Sequence, residues 1–470
     1  MVSATMTFPP SQVKFALVSH VLPPSSSGQA VVLYRLLRDY DPQQYCLISV
    51  KDYGPAHALA KTPDCVTKRL AATYYVLPAE SRWRLLESRL FRWGRKTAAR
   101  VLHFVLRGAR EKHRNSDNSS PGDPLQVMPA GKSSLAAALK WKHRLLSLLQ
   151  YLDDWLNMQR QIKQRARGIL QIVQREKCAA IVACSGDVID IPAAFLASQW
   201  AHVAFYPYLF DDYVRQWVPA FQRQIARAVC QNMMKKCAEV IVPNEFLAKT
   251  YRDDYEVDPV IVPNPIEDMP PLARQSQRPD GKTLTIVYTG AIYEAHFDAF
   301  TNLICALGTL PPRLFELQVY TNADLQMLAR HGIEEPARIS PQVTSSEAQQ
   351  LQKSADVLFL PLAFTSPFPE IIRTSAPGKM GELLASGRPV LVHAPRDSFI
   401  SWYSRKHECA IVVDEPDPEL LHQALLHIIE DPDWAAHLVQ NAWQRARDDF
   451  GLTKAREIFF QTIAGYEKKR

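Results

Sequence analysis

Residues Ala355 to Pro395 read ADVLFLPLAFTSPFPEIIRTSAPGKMGELLASGRPVLVHAP. The order is strand, loop, helix, strand. Ala355 to Leu362 is a short apolar run of the kind that forms a buried parallel strand. Thr365 to Gly378 carries three prolines and a glycine and is expected to be loop. Lys379 to Ser386 has Met380, Leu383 and Leu384 at helical spacing. Gly387 closes that helix and Pro389 follows it, the usual order of stop signals. Pro389 to Ala394 is then the next strand.

The loop-to-helix junction is where chemistry is expected. Thr374, Ser375 and Gly378 stand just ahead of the helix, and free backbone N–H groups there make an anion site. Lys379 falls in the first turn, where a cation opposes the helix dipole unless an anion sits beside it. Glu382 lies one turn further in. A phosphate facing Lys379 and a sugar hydroxyl donating to Glu382 satisfy both. From the residues alone, an exposed Lys–Glu pair three apart accounts for them equally well.

The stretch resembles the donor-binding segment of retaining nucleotide-sugar glycosyltransferases of the GT-B fold, the large family 4 group. That group carries a Glu, seven residues, a second Glu, then a helix ending in small-Gly-x-Pro-Val. Glu382 and Leu383–Val390 (LLASGRPV) match the second half, whereas Thr374 stands where the first Glu falls. A divergent branch has Pro and Lys just before the second Glu, as Pro377 and Lys379 are here.

The composition is that of an ordinary globular protein, 47% hydrophobic and 22% charged, and 470 residues suffice for two or three domains. The eight cysteines are scattered, with no CxxC pair and no Cys/His ligand cluster. They read as reduced thiols, and structural zinc is not expected. The first residues, MVSATMTFPPSQ, lack the basic and apolar regions of a signal peptide. No apolar run approaches the roughly 18–20 residues that cross a bilayer. A cytoplasmic location is expected, including a peripheral one at the inner membrane face.

Charge is unevenly placed. Ser81 to Arg114 holds eleven Lys/Arg against Glu87 and Glu111, a local +9 in a chain of +7. Its Trp83, Leu86, Leu90, Trp93, Val101 and Val105 recur at helical spacing. Asn115 to Ser134 is polar and turn-rich, and Leu135 to Arg175 is helical again. Three readings stay open for this basic insertion: a surface for an anionic membrane or lipid-linked acceptor, a packed helical pair with solvated arginines, or, ranked well below these, a nucleic-acid patch. No nucleic-acid partner is expected.

The remaining chain alternates strand and helix. Val13 to Val21 is a first strand, followed by LPPSSSGQA and a helix. No GxGxxG is present, so a dinucleotide cofactor is not supported. This loop resembles the N-terminal glycine loop of GT-B enzymes, reduced here to Gly28. Further strands are expected at Tyr45–Val50, Thr73–Leu77, Cys178–Ser185, Val203–Leu209, Glu239–Asn244 and Pro259–Ile266. Family members place a useful His or acid after the strand that here ends in Ser185, so the resemblance makes Asp187 a catalytic candidate. Asp211 and Asp212 follow another strand end, as ligand groups do in open α/β sheets. Val262–Ile266 (VPNPI) resembles the segment that ends the family's N-terminal domain, and Asp268 to Lys282 reads as linker.

Leu284 to Ile292 opens the second half, and its Thr289-Gly290 end resembles the loop that faces the donor diphosphate. Many members follow it with an Arg and a Lys. This chain has Tyr293, Glu294, Ala295 and His296, leaving Lys379, Arg373 or His296 to supply the charge. Phe315–Asn322, Ala355–Leu362, Pro389–Ala394 and Ala410–Val413 complete the strands, with Arg338–Val343 undecided.

The resemblance implies an α/β protein: two Rossmann-like domains facing a cleft, with a basic helical insertion in the first. The expected boundaries are 1–267 for an acceptor-side domain (insertion 81–175), 268–282 for a linker, 283–451 for a nucleotide-sugar domain and 452–470 for a helix returning to the first. It implies a metal-independent glycosyltransferase of hexosyltransferase type in polysaccharide, glycolipid or glycoconjugate synthesis. The sugar passes from a nucleotide-diphospho-sugar to an acceptor hydroxyl with retention, and no cofactor beyond that substrate is used. Asp187, Lys379 and Glu382 are the implied catalytic residues. Gly28, Gly290, His296, Arg373, Thr374, Ser375 and Gly378 are the implied substrate-binding ones, with no metal ligand. Two alternatives stand beside it: a non-catalytic GT-B-like binding or scaffold protein, and a GT-B nucleotide-sugar epimerase.

Overall fold

The structure, a computed structural model, describes residues 13–25, 27–53, 67–78, 130–216, 220–267, 269, 272 and 283–465, without the side chains of 130–150, 220 and 221. The expectations for the basic segment 81–114, for 115–129 and for most of the linker 268–282 lie outside the described residues. Contacts divide the chain into two compact units. Residues 79–165 form one, and the rest forms the other.

The larger unit is built on two wholly parallel sheets. The first holds β1 (Phe15–Val18), β2 (Tyr45–Ser49), β3 (Thr73–Val76), β4 (Ala180–Cys184), β5 (Ala204–Tyr208), β6 (Ile241–Val242) and β7 (Val260–Ile261), in the order β3-β2-β1-β4-β5-β6-β7. The second holds β8 (Leu284–Thr289), β9 (Phe315–Thr321), β10 (Arg338–Pro341), β11 (Val357–Pro361), β12 (Val390–His393) and β13 (Ile411–Val413), in the order β10-β9-β8-β11-β12-β13. The central strands are buried along their whole length, as helices on both faces of a parallel sheet require. In register, Leu17 lies between Leu47 and Val182, and Leu358 pairs with both Val287 and Val390. Each sheet reverses its winding beside its first strand, at β1/β4 and at β8/β11. Open α/β sheets bind ligands beyond the carboxyl ends of such strands.

The helices in chain order are α1 (Gly28–Leu37), α2 (Ala130–Glu176), α3 (Asp190–Ala201), α4 (Ala220–Met233), α5 (Glu245–Tyr255), α6 (Phe297–Thr309), α7 (Leu325–Arg330), α8 (Ser345–Ser354), α9 (Pro369–Thr374), α10 (Met380–Leu384), α11 (Phe399–Lys406), α12 (Pro418–Glu430), α13 (Pro432–Phe450) and α14 (Leu452–Ala464). The last helix packs on the first sheet. Phe459 sets its ring edge-on to Phe15 at 6.3 Å, and Phe460 stacks on Tyr40 at 4.0 Å. The chain thus crosses between the sheets twice, and the crossings touch where Ile266 N–H donates to Phe450 O at 2.8 Å.

The strands fall within two residues of their expected ends except at β1, β7 and β8, which stop three to five residues early. Arg338–Pro341 resolves as a strand paired with β9. Two expectations are corrected. Thr365–Gly378 is not all loop, because Pro369 starts α9 at its first position, where a missing N–H costs nothing. Ala130–Ser134 is helical rather than turn-rich, since α2 begins at Ala130. Short strand ends of one or two residues mark where prolines stop the ladder at Pro243 and Pro263. The seven described cysteines are unbridged thiols. Among the described residues no helix is long and apolar enough to cross a membrane.

Candidate functional site

Two features place the site: the loop from β8 into α6, and the start of α10. Gly290 follows β8 with φ +135°, a conformation that L side chains rarely adopt. A Cβ there would also lie 2.5 Å from Lys379 Nζ. The backbone therefore favours glycine, and a Cβ would displace the end of the lysine that crosses it. Lys379 stands at the N-cap of α10 and not inside its first turn. Its ammonium donates to Thr289 O at 2.7 Å and lies 4.0 Å from the centre of the Tyr288 ring. Desolvation lowers its pKa to about 8, with Glu382 acting in the opposite direction. Among the described residues this leaves two ammonium hydrogens without a protein oxygen.

His296 caps the N-terminus of α6 by position, with its side chain making no cap bond. The residue is 8% exposed, and its Nδ1 has no hydrogen-bond partner among the described residues. Its ring meets Tyr293 at 4.6 Å and Tyr288 at 6.3 Å, both edge-on. Burial, then the Lys379 charge, lowers its pKa to about 3, so the imidazole is neutral at physiological pH. It offers hydrogen bonding and no charge. Tyr293 in turn senses Asp211, from the end of β5, and the phenol is raised by burial and by that carboxylate.

The first sheet closes the site from the other side. Ser27 caps α1 by accepting from Ala30 N–H. A Cβ on Gly28 would meet nothing within 4 Å, whereas a Cβ on Gly378 would lie 3.9 Å from Gly28 Cα. The two glycines thus bring the start of α1 against the residue before Lys379. Gly28, Gly290, His296, Gly378 and Lys379 come together as one group.

Other expected residues stand elsewhere. Glu382 is tied to Arg35 of α1, whose guanidinium also donates to Pro265 O at 2.8 Å. One of its carboxylate oxygens is thereby held across the domain junction and not kept for a sugar hydroxyl. Arg373 turns away to Thr250 Oγ1 of α5, at 2.9 Å. It supplies no charge beside Gly290, and neither does neutral His296, so of the three proposed cations only Lys379 is placed there. Thr374 is buried, with its hydroxyl donating to Glu370 O and its own carbonyl accepting from Asn244. Ser375 is the C-cap of α9. Asp187 Oδ1 accepts from Ile189 N–H and Asp190 N–H at the start of α3, and its Oδ2 lies 3.7 Å from His20 Nδ1. Asp187 and His20 thus sit at the ends of β4 and β1, and their position owes as much to helix start as to chemistry.

Three positions that matter here were not singled out from the sequence: Tyr288 under the ammonium, Arg35 behind Glu382, and Asn244 behind Thr374. Only the last left a sign, since Val-Pro-Asn occurs both at Val242–Asn244 and at Val262–Asn264.

No protein-family model matches the chain, and no curated protein matches it in sequence. Solved structures do match in fold. A glycosyltransferase from Rickettsia africae is 11% identical with a TM-score of 0.58, the match covering 96% of this chain and 98% of that one. Sucrose-phosphate synthase from Thermosynechococcus elongatus is 13% identical with a TM-score of 0.58, covering 97% and 99%. HepE from Anabaena, in complex with UDP, is 13% identical with a TM-score of 0.57, covering 97% and 100%. The two parallel sheets and this likeness define the GT-B fold.

The glycines make a paired prediction. Gly290→Ala lowers the unfolding free energy by about 1–3 kcal/mol, from backbone strain and the displaced lysine. Gly28→Ala, into open space at a helix start, is neutral or stabilising by up to about 1 kcal/mol. Urea unfolding of both variants distinguishes them; equal effects would contradict the geometry given to Gly290.

Proposed function

We propose that the protein is a glycosyltransferase that moves a sugar from a nucleotide-diphospho-sugar to an acceptor hydroxyl. The observation that carries the reading is the Lys379 ammonium, held on Thr289 O beside Gly290 with two hydrogens to spare. A diphosphate leaving group needs positive charge and oriented donors as its bond breaks. Lys379 supplies the charge. The N-terminus of the thirteen-residue α6 adds its partial positive end, and neutral His296 adds a hydrogen bond. The reading requires no metal, because these groups take the cation's role. The GT-B neighbours support it, and one of them was solved with UDP. Retention follows if the departing phosphate itself takes the acceptor proton on the donor's own face.

The test is thermal unfolding with UDP, GDP, ADP and TDP, on the wild type and Lys379→Ala. A nucleotide at a hundred times its Kd adds about 2.7 kcal/mol of stability. One nucleotide is expected to raise Tm, and the variant to bind it about ten- to a hundred-fold more weakly, as loss of a charged hydrogen bond implies. The pH dependence has a definite sign. Lys379 is protonated below about pH 8 and neutral above it, so affinity is constant at neutral pH. It falls as pH rises through about 8, well before the 10.5 of an ordinary lysine. A folded wild type that no nucleotide stabilises favours the non-catalytic scaffold reading.

The acceptor side adds a second element to the proposal. The basic segment 81–114 is read as a membrane-surface element serving a lipid-linked acceptor. On α2, Leu152, Trp155 and Leu156 are 39–44% exposed at helical spacing, an apolar face of the kind that enters a membrane interface. Each basic residue near an anionic surface contributes about 1 kcal/mol. Flotation with phosphatidylserine vesicles at low salt is expected to carry the protein up, and phosphatidylcholine vesicles are not. No flotation with either removes the membrane element, equal flotation with both removes the role of the basic segment, and either result leaves the donor site untouched.

A further inference from the structure

The Val-Pro-Asn sequence occurs twice, and both copies end a strand of the first sheet. β6 and β7 pair in parallel, and Val262 N–H donating to Val242 O at 2.9 Å is the last bond between them. Each strand then meets a proline, which has no N–H to continue the ladder. The asparagine after each proline is delivered to the same segment of the second domain. Asn244 Nδ2 donates to Thr374 O at 2.9 Å, and Asn264 Nδ2 donates to Ala376 O at 3.0 Å. Asn244 is 1% exposed, and its Oδ1 also accepts from Leu247 N–H as the cap of α5. Thr374 O belongs to the last turn of α9, where carbonyls lack helical partners. The two amides therefore grip alternate carbonyls, at the end of α9 and just beyond it, of the segment that leads through Pro377 and Gly378 to Lys379.

We propose that Asn244 and Asn264 are positioning residues for Lys379, a two-point latch by which the first domain sets the second domain's phosphate-binding lysine. Side-chain amides that bind backbone carbonyls fix where the segment lies whatever side chains it carries. Arg373 to Thr250 and Glu382 to Arg35 flank the latch on either side. The anion site is then complete only while the domains are together, and nucleotide binding and domain closure are coupled. The inference rests on the nucleotide reading of Lys379.

The experiment uses hydrogen exchange of residues 370–384 with UDP and inorganic pyrophosphate as probes. Two variants of the full chain are compared with the wild type. Asn264→Ala removes one grip. Asn244→Asp removes the other and keeps an oxygen to cap α5. Loss of one such bond is expected to speed exchange about three- to ten-fold without ligand, and to weaken UDP binding by a similar factor. Unchanged exchange overturns the latch. Faster exchange with unchanged affinity for both probes overturns the positioning role and leaves a domain clamp. If neither probe slows exchange in the wild type, the nucleotide reading fails, and the positioning claim falls with it, whatever the variants do to exchange.

Discussion

An ammonium group removed from bulk water is costly unless something compensates it, and Lys379 is compensated only in part. A carbonyl and an aromatic face take one side of it. The lowered pKa is the remaining strain expressed as acid strength. Everything around it serves that placement. Gly290 clears its path, the β8 strand end supplies its oxygen, and the segment between α9 and α10 carries it there. On the proposed reading, an incoming phosphate would complete what the protein leaves unfinished.

That arrangement is how the proposed anion site would work in a chain that departs from its fold's usual pattern. His296 and Arg373 both lie near in sequence to where extra cations are expected, yet neither is one in effect. The imidazole is too deeply buried to hold a proton. The guanidinium faces α5. Glu382 is held by Arg35, a pairing that joins α1 to α10 at the crossing of Pro265. The charge here works on domain geometry. The positive potential at the proposed phosphate site rests on one lysine and one helix end.

Much of the fold was legible because buried parallel strands write themselves as short apolar runs. VLFLP and VLVH could be read at sight, as could the Gly-Pro stop between α10 and β12. The helix at Pro369–Thr374 was not, because a proline at a helix start looks like a breaker until the helix is seen. The site was half legible. Gly290, Gly378 and Lys379, singled out by local motifs, lie together. Tyr288 and Arg35 did not announce themselves, since their roles depend on which residue lies opposite in space. Glu382 carried a motif yet found a partner more than three hundred residues away. Pairings of that kind come from how the two domains meet, and no local pattern encodes them.

The central claim is the proposal that a nucleoside diphosphate lies with its phosphates against the Lys379 ammonium, beside Gly290. A crystal structure with UDP, or with the nucleotide that stabilises the protein most, tests it directly. The account predicts a β-phosphate oxygen within hydrogen-bond reach of Lys379 Nζ, about 2.7–3.2 Å, with the N-terminus of α6 facing the same group. A nucleotide bound elsewhere, or phosphates that leave Lys379 on Thr289 O alone, would contradict it.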